Sequence, residues 1–249
     1  MLITPSNDRK VRFHNNHYNT YGLLPGRPCD GGTCPSAKAE KGGCLYVEPG
    51  RKLPICYVYS CMAQYKAVKG LLVKNTEALV NKTADEIEAI LCKEFSRFKA
   101  KEMKRSDPKL YYRLHWSGDL FNSNYVKALK GAIKKFPDIQ FWTYTRSLNF
   151  VKTLKLPNLV LYISADKNNF KAAVKTYKLN QLGNPNLKLS YLSETNDFDE
   201  VYEGTFGPKA TPIGLSECPV DTRKLDLDGG CSKCMKCVLG RSNIWFKEK

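Results

Sequence analysis

Histidine is scarce in this chain: His14, His17 and His115 are the whole set in 249 residues. That leaves few imidazoles for proton transfer or for a His-rich metal centre. No apolar run approaches the roughly 18 residues of a membrane span, so no membrane association is expected. Met1 to Lys10 is polar and charged, with no apolar signal-peptide core, and the expected location is the cytoplasm. Carboxylates are also short, with 24 Asp and Glu against 40 Lys and Arg, a formal charge of +16. Such a charge attracts polyanions, nucleic acid first. The lysines are spread along the chain, and a solvated Lys-rich surface explains the same count. Asp119, Asp166 and Glu194 form no close carboxylate pair in sequence, which weighs against a hydrolase or nuclease working through a divalent metal. Oligomeric state is not written in any of these features.

Cysteine is what the chain does not lack: there are ten. Disulfide density is a device of small secreted domains, and this chain is long, so clustered cysteines point to metal binding or catalysis. Cys231, Cys234 and Cys237 form a C-x2-C-x2-C run, with Cys218 upstream before Pro219. Three thiolates at that spacing can wrap one face of a [4Fe-4S] cluster while a distant Cys-Pro supplies the fourth, as in ferredoxin-type sites. Zinc sites more often show two separated pairs, so zinc is the alternative metal here. A second group, Cys29, Cys34, Cys44, Cys56 and Cys61, is irregularly spaced. Cys34, Cys44 and Cys56 are its expected core, completed by Cys29 or Cys61, and spacing leaves zinc and iron–sulfur open. One or two clusters are therefore expected. Cys92 sits on the apolar face of an expected helix and reads as a core thiol.

A candidate strand, Val11 to His14, precedes a long irregular stretch rich in Gly, Pro and Asn, the cysteine loop of residues 15–56. Tyr59 to Asn81 reads as one helix. Thr83 with Glu86 makes a capping box for a helix running to about Arg105. Strands Leu110–Trp116, Ile139–Thr145, Leu159–Ile163 and Leu187–Leu192 then alternate with helices at Asn124–Phe136, Leu148–Leu154 and Phe170–Tyr177. This alternation implies parallel βαβ units. The fold class expected is α/β, a partial (β/α) barrel of mostly parallel strands, with a cysteine-rich N-terminal loop and C-terminal tail. Residues 1–203 form the barrel domain, and residues 204–249, loop-like up to the cysteine run, form an extension packed on it.

Polar groups collect where these strands should stop, where ligands bind in such folds. Arg113, His115 and Ser117 alternate with Leu114 and Trp116, so they are expected on one face, with Gly118 allowing a tight turn before Asp119. Arg113, His115 and Asp119 are candidate catalytic residues. Ser117, Arg146, Ser164 and Asp166 are candidate cofactor-binding residues, and Arg146 is suited to phosphate or carboxylate. Helix N-capping accounts for several of the Ser and Asp positions as well.

Thr33-Cys34-Pro35-Ser36-Ala37, Cys56-Tyr57, RLHWSGDLF (Arg113 to Phe121), FWTYTRS (Phe141 to Ser147) and the last three cysteines together resemble the phage gene product eighty-eight family. More distantly the chain is similar to radical S-adenosylmethionine enzymes, without their Cys-x3-Cys-x2-Cys loop. That resemblance implies a cysteine loop after the first strand, a partial barrel, a second cluster, and one-electron chemistry on bound S-adenosylmethionine. The function expected is an iron–sulfur protein of phage or mobile-element type acting on a nucleic acid or nucleotide. The alternative is a non-enzymatic, cysteine-rich nucleic-acid-binding protein stapled by zinc or clusters.

Overall fold

The computed structural model describes residues 2–40, 43–47, 54 and 56–247. Parts of the expected cysteine loop, residues 41–42, 48–53 and 55, lie outside the described residues. The chain gives α1 (Tyr57–Gln64), α2 (Lys66–Glu77), α3 (Ala84–Glu102), β1 (Tyr111–Arg113), α4 (Ser123–Lys134), β2 (Gln140–Thr145) and β3 (Leu159–Ala165). It continues through α5 (Phe170–Gln181), β4 (Leu187–Ser193), α6 (Phe198–Phe206), β5 (Leu215–Glu217), α7 (Gly230–Cys234) and β6 (Asn243–Lys247). The strands form one all-parallel sheet in the order β1-β2-β3-β4-β6-β5.

The expected parallel α/β architecture is present, but the sheet is open. Its two edges are the three-residue strands β1 and β5, too short and too few to supply the strand number and stagger that closure requires. Beside β1 the chain runs parallel through Asn19 to Leu23: Arg113 N donates to Asn19 O, Trp116 N to Tyr21 O and Leu23 N to Ser117 O, at 2.8–3.0 Å. The expected strand at Val11 to His14 is instead a turn closed on Asp8 O.

Alternation along the strands sorts two cores. Tyr112, Phe141, Leu159, Leu161, Ile163, Leu189 and Trp245 face α3, α4, α5 and α6. Tyr111, Trp142, Tyr144, Val160, Tyr162, Ile244 and Phe246 face the other way. Among the described residues no long helix covers that second face. The N-terminal Val11 and Phe13 and the tail residues Cys218, Val220, Cys231, Met235, Cys237 and Val238 do. The tail beyond residue 203 is therefore more than loop: it supplies β5, and β6 inserts between β4 and β5.

Local signals explain several boundaries. Thr83 Oγ1 accepts from Glu86 N while Glu86 accepts from Thr83 N, the capping box read from sequence. Asn122 caps α4 by accepting from Tyr125 N at 2.8 Å. The single helix expected from Tyr59 breaks at Tyr65, whose extended backbone (φ −127°, ψ 98°) separates α1 from α2. Among the described residues, no helix is long and apolar enough to cross a membrane.

Candidate functional site

At the carboxyl ends of β1, β2 and β3 the chain assembles one polar knot. Gly118 turns with φ +85°, and a Cβ there would lie 2.5 Å from Thr33 Oγ1, so glycine is required. The turn delivers Asp119 beneath the end of β2. Its carboxylate accepts from Leu120 N (2.7 Å), Thr145 Oγ1 (2.6 Å) and Arg146 N (2.9 Å). Burial raises its pKa, and these hydrogen bonds oppose the shift. Arg146 reaches across to Asp166 at the end of β3; the Asp166 side chain is nearly inaccessible and that of Arg146 is mostly buried. Asp166 also accepts from Asn168 N and Asn169 N, which shapes the entry to α5. Burial disfavours the Arg146 charge, but Asp166, Cys44 and Asp119 outweigh it and raise its pKa. Its Nε and Nη2 are buried and have no hydrogen-bond partner among the described residues.

Cys34, Cys44 and Cys56 gather over this knot. Cys44 N donates to Ser36 O, Cys56 N to Cys44 O, and Ser36 Oγ to Arg146 O, at 3.2–3.3 Å. Cys34 lies within electrostatic reach of Asp119, Cys44 and Cys56, and Cys44 and Cys56 within reach of Arg146. Burial pushes the Cys44 thiol up to about 11, with Cys56 adding to it. Of the two candidates to complete the group, Cys61 is a neighbour of Cys56 along α1. Cys29 lies exposed on a short turn, where its thiol donates to Asp30.

The C-terminal cysteines converge on the helix-poor face. Cys237 is within reach of Cys231, Cys218 and Cys234, and burial raises its thiol to about 12. Tyr144 and Tyr162 stack at 5.1 Å beside Cys237, and the Tyr162 hydroxyl donates to Ser242 O at 3.0 Å. Cations accompany the thiols. Lys10 lies near Cys218 and Cys231 and pairs with Asp221 at 2.9 Å, and Arg113 lies near Cys231. The N-terminal segment is laced over the group: Cys231 N donates to Lys10 O and Gly229 N to Arg9 O, and Arg12 pairs with Asp228. Among the described residues, no three His, Cys, Asp or Glu side chains are arranged to hold a single metal ion.

The single strand-end pocket expected from sequence is split three ways. Asp119, Arg146 and Asp166 meet beside the N-terminal cysteines. Arg113 belongs to the opposite face, 3.7 Å from Asp8 and 5.5 Å from the centroid of the Tyr144 ring. His115 does not share that face, because its φ of +46° ends the strand alternation. It sits in the helix-side core with its Nε2 on the Tyr125 hydroxyl and 3.4 Å from Tyr21 Oη. Ser117 is committed to Leu23 O, and Ser164 lies 3.5 Å from Ser190 Oγ. Sequence reasoning missed Lys10, Tyr144 and Tyr162. The two tyrosines were readable, since period 2 from Trp142 puts Tyr144 on one face, but no local signal marks Lys10.

Burial pushes His115 down to about 3 from its ordinary 6.5, and Arg113 adds to the shift. The unfolded chain therefore takes up this proton first as pH falls. The stabilisation is full above pH 6.5 and is lost progressively toward pH 3, about 4 kcal/mol from this group. His17 is depressed in the same way, chiefly by burial. His115→Asn, which tolerates positive φ, should flatten the fall of urea midpoint between pH 6.5 and 4. Equal pH slopes in variant and parent would remove His115 as a source.

The chain was compared with known proteins. The family model described as "Gene product 88" matches residues 1–240. The "Gene 88 protein" of Mycobacterium phage L5 is 32% identical over 235 residues, covering 92% of this chain and 86% of that protein. The "Gene 88 protein" of Mycobacterium phage D29 is 31% identical over 236 residues, with the same coverage. No solved structure matches. With nearly its whole length matched, the chain belongs to the gene product 88 family.

Proposed function

We propose that this is an iron–sulfur protein with two cluster sites on one parallel sheet. Cys218, Cys231, Cys234 and Cys237 would hold one, and Cys34, Cys44 and Cys56 the other, with Cys61 the better-placed fourth thiol. The observation that supports this most is the gathering of the four C-terminal cysteines around Cys237, beneath two tyrosines and beside two cations. Lys10 and Arg113 would offset thiolate charge, and Tyr144 would hydrogen-bond ligand sulfur, which tunes such centres. A zinc ion needs its thiolates about 2.3 Å from one point. A cubane spreads its ligands over different irons, so its thiolates need not converge on one point.

A bound cluster supplies one-electron transfer. The protein's part at the N-terminal site is binding and orientation. Beside Cys44 and Cys56, Arg146 has two buried N–H groups without partners among the described residues, a geometry suited to a carboxylate or phosphate. S-adenosylmethionine is the first cofactor candidate, and a nucleotide substrate is the next. Asp119 would act by positioning, because it fixes the Arg146 backbone and Thr145. Arg113 lies on the opposite face and His115 in the helix-side core, so neither belongs to this knot.

The rival is a non-enzymatic nucleic-acid-binding protein in which metal only staples the tail. The pairing of Gly229 and Cys231 with the N-terminal segment favours such a stapling role. Anaerobic purification decides between them. The cluster reading expects brown protein with about eight irons and eight sulfides per chain. Colourless protein carrying zinc would overturn it.

A further inference from the structure

We propose that the outer surface of the α4–α5 layer is a docking face for double-stranded nucleic acid, gripped through its phosphates. This inference does not depend on either cluster.

The chain's excess charge is not uniform. Between Ser123 and Gln181 there are only two carboxylates, and both are already engaged: Asp138 pairs with Lys99 at 2.5 Å, and Asp166 is buried against Arg146. Neither α4 nor α5 contains an acidic residue. Lys127, Lys130 and Lys134 recur at i, i+3 and i+7 along α4, and Lys171, Lys175 and Lys178 at i, i+4 and i+7 along α5. Each set is one helix face. Lys152 and Lys155 are exposed on the segment joining β2 to β3. Apart from Lys178, which lies 4.8 Å from the centroid of the Tyr202 ring, none of these lysines enters an ion pair or ring contact among the described residues. Acid belongs to the flanking helices instead, as Asp85, Glu86 and Glu88 on α3 and Asp199, Glu200 and Glu203 on α6, with Glu88 reaching over to Gly131 and to Lys135 at the end of α4.

Topology makes the lysine rows neighbours. β1 to β4 are adjacent in sequence order, α4 crosses from β1 to β2, α5 crosses from β3 to β4, and both pack into the same core. Strands about 4.8 Å apart put α4 and α5 on one side of the sheet, about two strand spacings from each other, and the Lys152–Lys155 segment joins the strands between them. A 12-residue helix is about 18 Å long, roughly the rise of five nucleotides in one strand of a duplex.

The partner is narrowed by what the face lacks. Single-strand binders stack bases on exposed aromatics. The aromatics of α4 and α5 (Tyr125, Phe170 and Tyr177) are all buried. Membrane-surface helices insert a continuous apolar face, whereas the apolar face of α4 is consumed by the core and α5 leaves only Leu179 and, at its C-cap, Leu182 exposed. Lysines on rigid helices with no base-reading partner suit phosphates, with little sequence preference.

The test is a salt titration of anisotropy with a short labelled duplex, using full-length protein purified anaerobically. Roughly seven phosphate contacts give a log-log slope of about −6. The Lys127→Gln/Lys130→Gln/Lys134→Gln variant should reduce that slope by about 3 and weaken binding at about 50 mM salt by tenfold or more. A control removes equal charge from exposed positions of α2, Lys66→Gln/Lys69→Gln/Lys74→Gln, and should leave the slope unchanged. Iron content, measured on the same samples, reports the cluster reading separately. Equal loss in both variants would make the charge diffuse and overturn the proposal. So would absence of duplex binding at about 50 mM salt, or preference for the single strand or for anionic lipid vesicles.

Discussion

Replacing Cys237 by Ser should remove about half of the bound iron and leave residues 204–247 open to protease, because metal binding and folding are coupled. Cys237 is the hub of its group, in reach of Cys218, Cys231 and Cys234 and beside Tyr144 and Tyr162. The chain it anchors is also part of the sheet. β6 lies between β4 and β5, so loosening the tail exposes the β4 edge and strips cover from Trp142, Val160 and Tyr162. Loss of cover and loss of strand pairing act together, which makes the expected effect larger than that of a surface ligand. Cys234→Ser is the milder version, since Cys234 is only half-buried. Cys92→Ser on α3 is the control and should leave iron unchanged. Parent-like iron in both Cys237→Ser and Cys234→Ser would sink the C-terminal assignment. Iron lost with the tail still resistant to protease would show that the strands alone organise it.

Arg146→Ala should cost about 3–5 kcal/mol, because it strands a buried carboxylate. Asp166 is nearly inaccessible, and its remaining hydrogen bonds come from backbone N–H groups of the turn before α5. Asp119 would lose a neighbouring cation as well, though its three hydrogen bonds remain. Arg146→Ala/Asp166→Asn removes the stranded charge and should recover most of that stability. It should not recover anion binding, since the Nε and Nη2 donors are gone. Urea denaturation gives the first quantity. Calorimetric titration with inorganic phosphate or S-adenosylmethionine gives the second. A double variant that binds these anions as the parent does would leave Arg146 a structural ion pair only. A single variant costing less than about 1 kcal/mol would mean that water reaches the pair.

Several features were legible because they are local. The Thr83–Glu86 capping box fixes the start of α3 from four residues, and the Gly118 turn needs a conformation that glycine adopts freely. The alternation of apolar runs from β1 to β4 was readable for the same reason, and ordered βαβ units leave few topologies. The grouping of the last three cysteines needed only their spacing. β5 was not readable, since three residues carry no usable period. β6 was missed because its value lies in a long-range insertion between β4 and β5, which no nearby residue announces.

The site divides along the same line. Sequence alone determined that Asp119, Arg146 and Asp166 end successive strands, and parallel pairing then had to bring those ends together. Tertiary structure decided which face each neighbour joined. A period-2 argument holds only while the backbone stays extended, and the positive φ of His115 resets the phase two residues after Arg113. One side chain went to the cysteine face and the other into the aromatic core. Tertiary structure also decided which irregularly spaced cysteines meet. Cys44 is tied to Cys56 and, through Ser36, to the end of β2, and Cys34 heads the turn that carries Ser36, while Cys29 stays exposed on its own turn.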